Sequence, residues 1–441
     1  MMNSNSRKLA LGLAVAATLA APSAFATNGY FSHGYGMKGS GMGGVSTAMT
    51  HDTFGGANNP ATMVWVGNRM DIGASWFNPE RSASRSGSSM GLNGSSESDS
   101  TGFLVPEFGY NKMLNPNMSF GVTVYGNGGM NTDYPNAPIN AGVCSGLSFT
   151  GAAGPYNLLC GTGNLGVDLM QLIIAPTWSY KLNENNSVGV SPLIAYQRFK
   201  AEGLQGFANF ATDSTKLTNN GYDTSTGFGV RFGWYGKMSD TVSLGAAYST
   251  KIAMSKFDKY ASLFAEQGDF DIPSNFNLGL AFKISPTMLL GVDYQKIKYT
   301  DVKSVSNSSA NGGSTMANTL GGADGRGFGW TDIDVWKIGV QYQHSDRLTI
   351  RAGIDRTDNP IRPADVTFNI LAPGVVTNHY SVGFTMAMDK NTEITGAYTY
   401  VAEKKVSGSS LYATWLGAAG GGTEEIKMHQ NIIGLSWSTK W

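Results

Sequence analysis

The sequence predicts an all-β protein: a 14-stranded antiparallel transmembrane β-barrel plugged by its own N-terminal segment. Three observations predict it. An export signal opens the chain, long segments alternate with a period of two, and short turns alternate with long polar connections.

The export signal comes first. Arg7 and Lys8 precede an apolar run over residues 9–21, and Ala24-Phe25-Ala26 sets small residues at the −3 and −1 positions of a cleavage site. This is the pattern of a secretory signal peptide over residues 1–26, cut after Ala26. Its apolar core is too short to cross a hydrocarbon layer of about 30 Å as a helix. No other run approaches 18 apolar residues, so helical membrane spans are excluded. Without residues 1–26 the chain keeps 29 Lys+Arg (31 less Arg7 and Lys8) against 31 Asp+Glu.

That balance leaves no positive surplus to neutralise phosphates, so a nucleic-acid partner is excluded. Two cysteines in 441 residues exclude a disulfide scaffold, and 41% hydrophobic residues exclude a disordered chain. Charged residues make up 14% and glycine supplies 58 positions. A soluble domain carries about 25% charge and about 7% glycine, so something other than water covers part of this surface.

Residues 27–67 do not read as strands. They run Thr27-Asn28-Gly29-Tyr30-Phe31-Ser32-His33 into glycine-rich sequence that ends at Asn58-Asn59-Pro60-Ala61. A barrel of 14 strands encloses a lumen, and a segment of this length can fill it. Two overlapping G-x-G-x-x-G matches (Gly34, Gly36, Gly39 and Gly39, Gly41, Gly44) have no preceding strand and no βαβ unit, so they are not nucleotide loops. Glycine here permits close backbone packing.

Strands follow from residue 68. Met70, Ile72, Ala74 and Trp76 alternate with Arg69, Asp71, Gly73 and Ser75. Phe276, Leu278, Leu280, Phe282 and Ile284 alternate with Asn275, Asn277, Gly279, Ala281 and Lys283, and Tyr380, Val382, Phe384 and Met386 do so with His379, Ser381, Gly383 and Thr385. One face of each is apolar and the other polar or small. Short turns lie at Leu114-Asn115-Pro116-Asn117, Asn183-Glu184-Asn185-Asn186, Ser239-Asp240-Thr241, Ser285-Pro286-Thr287, His344-Ser345-Asp346-Arg347 and Asp389-Lys390-Asn391. Long connections span 79–101, 127–167, 204–223, 252–270, 300–330, 358–377 and 405–423. Six turns and seven loops join 14 strands. Ile433, Leu435, Trp437 and the terminal Trp441 share one face of the last strand. The predicted organisation is a signal peptide at 1–26, a plug at 27–67 and a barrel at 68–441.

The start Thr27-Asn28-Gly29-Tyr30, the run Gly39-Ser40-Gly41-Met42-Gly43-Gly44-Val45, the motif Asn59-Pro60-Ala61 and the stretch Tyr196-Gln197-Arg198-Phe199 resemble the FadL/TodX family of outer-membrane transporters. That resemblance covers the whole mature chain. It implies a 14-stranded barrel with an N-terminal hatch bearing the Asn59-Pro60-Ala61 motif, and long-chain fatty acids or hydrocarbons as cargo. It further implies that ligand binding shifts the hatch N-terminus, here Asn28, Tyr30 and Phe31. A kink in the third strand, about 117–126 and ending in Gly126-Asn127-Gly128-Gly129, would open a lateral exit.

Candidate ligand residues lie in two loops. Leu204, Phe207, Ala208 and Ala211, with Phe210 beside them, and Phe257, Tyr260, Ala261 and Phe264, with Leu263 adjacent, repeat the i, i+3, i+4, i+7 spacing of an amphipathic helix. Two short helices would bury these faces against each other or around a ligand; the resemblance implies an external groove between the third and fourth loops. Alternation points Arg69, Asp71, Glu107, Arg231, Lys283, Asp293, Lys337, Arg351 and Asp355 into the lumen, with Arg231, Lys337 and Arg351 as candidate partners for a carboxylate. Such charges pair with one another, with the plug or with ligand. Cys144 and Cys160 share one exported loop and are expected to form a disulfide.

The five histidines (33, 51, 344, 379 and 429) show no metal-ligand spacing, and no Gly-x-Ser-x-Gly or His-Glu-x-x-His occurs. No catalytic constellation, metal or cofactor is expected. The expected partners are a hydrophobic small molecule, outer-membrane lipid and lipopolysaccharide, and the barrel-assembly machinery, with the chain a monomer. The function expected is passive uptake of a hydrophobic molecule. The alternatives are a general diffusion porin, which leaves residues 27–67 without a role, an outer-membrane barrel enzyme and a loop-borne receptor.

Overall fold

The computed structural model describes residues 28–139, 142–147, 154–312 and 319–441. The expected signal peptide, 1–26, lies outside the described residues. Fourteen long strands form one closed antiparallel sheet. They are β1 (Arg69–Ser86), β2 (Phe103–Asn115), β3 (Met118–Tyr134), β4 (Leu165–Lys181), β5 (Asn186–Glu202), β6 (Asp223–Lys237) and β7 (Val242–Ser249). After them come β8 (Asn275–Ser285), β9 (Met288–Ile297), β10 (Ile333–Gln343), β11 (Leu348–Thr357), β12 (Asn378–Ala387), β13 (Thr392–Ser409) and β14 (Thr423–Lys440). Each pairs with its sequence neighbours, and β14 closes on β1 from Arg69↔Lys440 to Ser86↔Thr423. Closure leaves no strand without a neighbour on each side, which is what a spanning sheet requires in lipid. Two short strands, Gly94–Glu97 and Ala253–Met254, add to β1 and β6 on the long-loop side.

The period-two pattern sorts the faces as the sequence predicts. Trp76, Ile433, Leu435 and Trp437 on β1 and β14 are exposed, as are Leu278, Leu280 and Phe282 on β8 and Val382 and Phe384 on β12. Their partners Asp71, Ser75, His379, Ser381 and Thr385 are buried inside. Among the described residues no helix is long and apolar enough to cross a membrane. Strands do the crossing.

Several strands outrun their expected ends. β1 continues through Ser86, although a loop was expected from residue 79, and β13 continues to Ser409 rather than ending before 405. β3 does not stop at the glycine run but passes through it to Tyr134, with a register slip between Gly126 and Gly128 against β4. The cause is solvent: above the lipid the outer face of a strand is wet, so Glu80 and Ser82 can be polar while backbone pairing continues.

Residues 28–67 are enclosed by the barrel and hold no long strand. They form short helical turns, Met37–Ser40, Phe54–Gly56 and Pro60–Trp65. Above them the loops close over a buried apolar core that includes Tyr30, Phe31, Phe207, Phe264, Trp330 and Val376.

Candidate functional site

The Asn59-Pro60-Ala61 motif anchors the enclosed segment. Asn59 caps the 3-10 helix Pro60–Trp65: its side-chain oxygen accepts the Ala61 N–H at 3.1 Å, and Pro60 takes the first turn, where no N–H is needed. The same amide donates to the carbonyls of Thr47 and Trp234, each at 2.8 Å, tying two parts of the segment to β6. Ser179 and Ser187 donate to the Ala61 carbonyl at 3.0 and 2.7 Å. Gly233 of β6 faces Asn59 so closely that any Cβ would overlap the Asn59 side chain. Part of the glycine excess is thereby explained by close approach inside the lumen.

The lumen charges bind this segment. Arg231 donates to the Gly56 carbonyl at 2.9 Å, to the Ala57 carbonyl and to Ser249 at 2.6 Å. Lys337 donates to the His33 carbonyl at 2.8 Å. Asp293 accepts the Ser46 and Thr47 N–H groups, both at 2.8 Å, and Glu107 accepts that of Gly36 at 3.1 Å. Lys38 of the segment pairs with Glu393 at 2.6 Å, and Glu393 also pairs with Arg69. Arg351 differs: among the described residues it bonds barrel groups, Gln341 at 2.9 Å and Thr385 at 2.7 Å. Lys283 lies on the same side at the short-turn rim, where it is exposed and lines a cavity at the barrel mouth with Ala48, Met49 and His51 of the segment.

At the other end of the segment, Asn28, Tyr30 and Phe31 sit against β3 and the fifth long loop. Asn28 donates to Asp355 at 3.1 Å. Tyr299 donates its hydroxyl to the Asn28 carbonyl at 2.5 Å and accepts the Tyr30 N–H at 3.1 Å. Burial pushes the Tyr299 phenol well up, so it keeps the proton that this bond needs. The Gly129 N–H reaches the Tyr30 carbonyl, and the Ser32 N–H the Asn127 carbonyl, both at 3.1 Å. Asn127 is the extra residue of the β3 bulge. Here the β2–β3 ladder has already ended: it runs from Asn115↔Met118 to Phe108↔Val124, while β2 continues to Phe103 and β3 to Tyr134. Val105, Glu107, Tyr125 and Gly126 line a cavity at this break with His33 and Tyr35 of the segment.

The loop residues do not form two amphipathic helices. Leu204 precedes a six-residue 3-10 helix, Gln205–Phe210, and Phe257 precedes a three-residue one, Asp258–Tyr260. Gly203 with positive φ and Gly206 leave no length for an α-helix to nucleate. The two sets also pack apart. Phe207 meets Phe368 at 5.2 Å and Trp415 at 5.7 Å, and Phe210 stacks on Trp415 at 4.8 Å. Phe264 meets Phe199 at 4.7 Å and Phe270 at 4.8 Å; Phe257 and Tyr260 also pack on Phe199, at 5.6 and 4.9 Å. Leu263 is half-buried against the same core. From Phe270 the aromatic series continues to Tyr30 at 6.0 Å, then to Phe31 and Trp330 at 5.5 and 5.7 Å. Sequence reasoning missed Phe199, Phe270, Trp330, Phe368 and Trp415; their aromatic identity inside or beside long polar loops was the available signal.

Cys144 and Cys160 are bonded, with Cα atoms 5.0 Å apart. Among the described residues no group of His, Cys, Asp and Glu could hold a metal ion.

Residues 157–440 match the family model described as outer membrane protein transport protein (OMPP1/FadL/TodX). An outer membrane protein of Neisseria meningitidis serogroup B is 30% identical over 116 residues, 25% of this chain; the match spans about a quarter (24%) of that relative's length. The fold is similar to that of the Pseudomonas putida toluene transporter TodX, at TM-score 0.65 and 17% identity, over 93% of this chain and 99% of that one. A Pseudomonas aeruginosa FadL homologue gives TM-score 0.66 and 16% identity, over 93% and 99% of the two chains. The Ralstonia pickettii toluene transporter TbuX gives 0.60 and 15%, over the same shares. With the family model covering well over half of its length, the chain belongs to the OMPP1/FadL/TodX family of outer membrane transport proteins.

Proposed function

We propose that this protein takes up hydrophobic small molecules, long-chain fatty acids or hydrocarbons, passively across the outer membrane. The long loops face outward to lipopolysaccharide and the short turns face the periplasm, as is usual for such barrels. Ligand enters among the loop aromatics and follows the series Phe264, Phe270 and Tyr30 inward. Residues 27–67 act as the hatch that denies ions and water a through-path. Release is lateral, between β2 and β3, because a hydrophobic molecule gains nothing by entering the aqueous periplasm.

One observation carries this reading: the β2–β3 ladder ends at Phe108↔Val124, beside the place where Tyr30 and Ser32 bond to β3. A movement of the N-terminus would there uncover a side exit rather than an axial pore. The mature chain works as a monomer, placed by the barrel-assembly machinery. Deleting residues 28–67 and recording conductance in planar bilayers tests the hatch. The deletion should convert a closed protein into an open channel. An intact protein with steady ohmic conductance would contradict the reading and favour a diffusion porin.

A further inference from the structure

Lys181, Lys237 and Lys283 stand at the short-turn ends of β4, β6 and β8. Tyr180, Phe282 and Ile284 beside them are exposed on the lipid face, so alternation turns the lysines toward the barrel axis. Trp65 of the enclosed segment receives two of them: Lys181 Nζ lies 4.4 Å and Lys237 Nζ 4.0 Å from its ring centroid. The indole is itself fixed, donating its N–H to Ser187 at 2.8 Å and meeting Tyr235 edge-on at 5.7 Å. Lys237 and Lys283 line one cavity of about 560 Å³ at the barrel mouth, within the range of ligand pockets, about 300–1,000 Å³.

These cations lack counter-charges. Among the described residues no carboxylate oxygen lies within 4.0 Å of any of the three, whereas at the long-loop end Lys251, Lys296, Lys298 and Lys303 are each paired with a carboxylate. Asp240 is the one carboxylate among the residues described as lining the cavity. Lys237 lies within electrostatic reach of both Lys181 and Lys283. Contact with one indole steadies two of the ammonium groups but leaves their charge unbalanced. Beside them the cavity has an apolar wall: Ala48 and Met49 of the segment pack with Ala281 and Leu289 of the barrel. Thr50 and His51 complete the segment's share of the lining.

We propose that this mouth is a docking site for an acidic polypeptide segment of a periplasmic partner protein, its carboxylates on Lys181, Lys237 and Lys283 and its apolar side chains against Met49 and Leu289. Lipid headgroups do not fit, because the lysines face away from the lipid. A single small anion does not span them: alternate strands lie about 10 Å apart, a distance matched by carboxylates spaced along a chain. The docked segment touches residues 48–51, next to Thr47, whose carbonyl Asn59 holds at 2.8 Å. The partner thereby reaches the hatch from below. The inference goes beyond the uptake reading and rests on its orientation, with the short turns in the periplasm.

The test is fluorescence anisotropy of a short labelled peptide of alternating aspartate and alanine, added to the purified full-length barrel in detergent at low salt. The native protein should bind it, and should bind the asparagine–alanine analogue at least about tenfold more weakly. The double variant Lys237→Gln, Lys283→Gln should lose about tenfold or more, the scale of charge-assisted hydrogen bonds. Lys390→Gln, at the β12–β13 turn, should lose nothing. Equal binding of the two peptides, or native affinity in the double variant, would overturn the inference. So would displacement of the peptide by equimolar tripolyphosphate or by phosphatidylglycerol in the same micelles, which would make the site one for small anions or for lipid. Should the double variant fail the heat-modifiability test of a folded barrel, the two peptides and the single variant Lys283→Gln decide. Orientation is tested apart, in intact cells: Ser239→Cys at the cavity should resist a maleimide–polyethylene glycol too large for porins. Labelling there would overturn both the periplasmic partner and the orientation of the uptake reading. Failed peptide binding with that cysteine protected would overturn the partner alone.

Discussion

The Gly129 N–H donates to the Tyr30 carbonyl at 3.1 Å, so the N-terminal segment occupies a hydrogen-bonding position on β3 just beyond the last β2–β3 pair. The approach is close: a Cβ on the neighbouring Gly128 would overlap the Tyr30 carbonyl. In the proposed mechanism this contact is the latch of the side exit.

Gly128→Val should therefore dislodge residues 28–32 without unfolding the barrel. Hydrogen exchange at Tyr30, Phe31 and Ser32 should rise at least about tenfold, as expected when a locally stable segment loses its docking. Heat-modifiable electrophoretic mobility should stay native. Unchanged exchange would mean that the latch is not seated by this contact.

Asn59 offers a finer test because its two roles can be separated. Asn59→Ala removes both the cap, about 1 kcal/mol, and the two bonds to the Thr47 and Trp234 carbonyls. Asn59→Asp keeps a capping oxygen but cannot donate. Both variants should loosen the segment, at about 1–3 kcal/mol for each buried carbonyl left unpaired, and both should show ion conductance in planar bilayers. A silent Asn59→Asp would place the whole effect in the cap.

The loop aromatics fall into two contact sets, so their variants should behave differently. Phe264→Asp puts a charge among Phe199, Phe257 and Phe270, on the inward series, and should abolish most uptake of a hydrophobic probe. Phe207→Asp disturbs the contacts with Phe368 and Trp415 and should chiefly loosen the sixth and seventh loops, read as faster proteolysis there. Normal uptake by an assembled Phe264→Asp barrel would remove Phe264 from the path, and unchanged proteolysis of Phe207→Asp would contradict its packing role.

The fourth long loop should respond to pH. Burial, followed by the charge of Asp271, pushes the Asp269 carboxyl up to about 6, against about 3.9 for an ordinary aspartate. The native loop thus binds this proton more tightly than an unfolded loop does. Its stability is greatest below about pH 4, falls as pH rises through about 6, and levels off above. Exchange across residues 252–270, corrected for intrinsic rates, should be slower at pH 5 than at pH 7.5. Asp269→Asn should flatten the profile, and an equal pH response in that variant would contradict the assignment.

The barrel was legible because lipid enforces it. Trp76, Ile433 and Trp437 had to face outward while Asp71 and Ser75 faced in, and that alternation is written in the residues themselves. Lys181 and Lys237 were hidden for the opposite reason: each ends its strand beside a short turn, where apolar alternation stops and a lysine reads as part of a solvated turn. Arg231 and Lys337 were legible as inward charges, but their partners are backbone carbonyls of Gly56, Ala57 and His33, which no side-chain pattern reveals. Phe207 and Phe264 were legible as buried aromatics. Their helical spacing misled, because contacts with Trp415 and Phe199 on distant elements outweigh local periodicity over so few residues.

Lateral release between β2 and β3 is the central claim, and locking that break tests it most directly. Cysteines replacing Val105 and Tyr125, which line the cavity from opposite sides of the break, can be joined by a thiol-specific linker. The described residues include no free cysteine to compete. Uptake of a radiolabelled hydrophobic probe is then measured in cells that rely on this protein, before and after linking. The account predicts loss of uptake to background on linking, with each single-cysteine variant unaffected by the linker. Full uptake through the locked protein would contradict it.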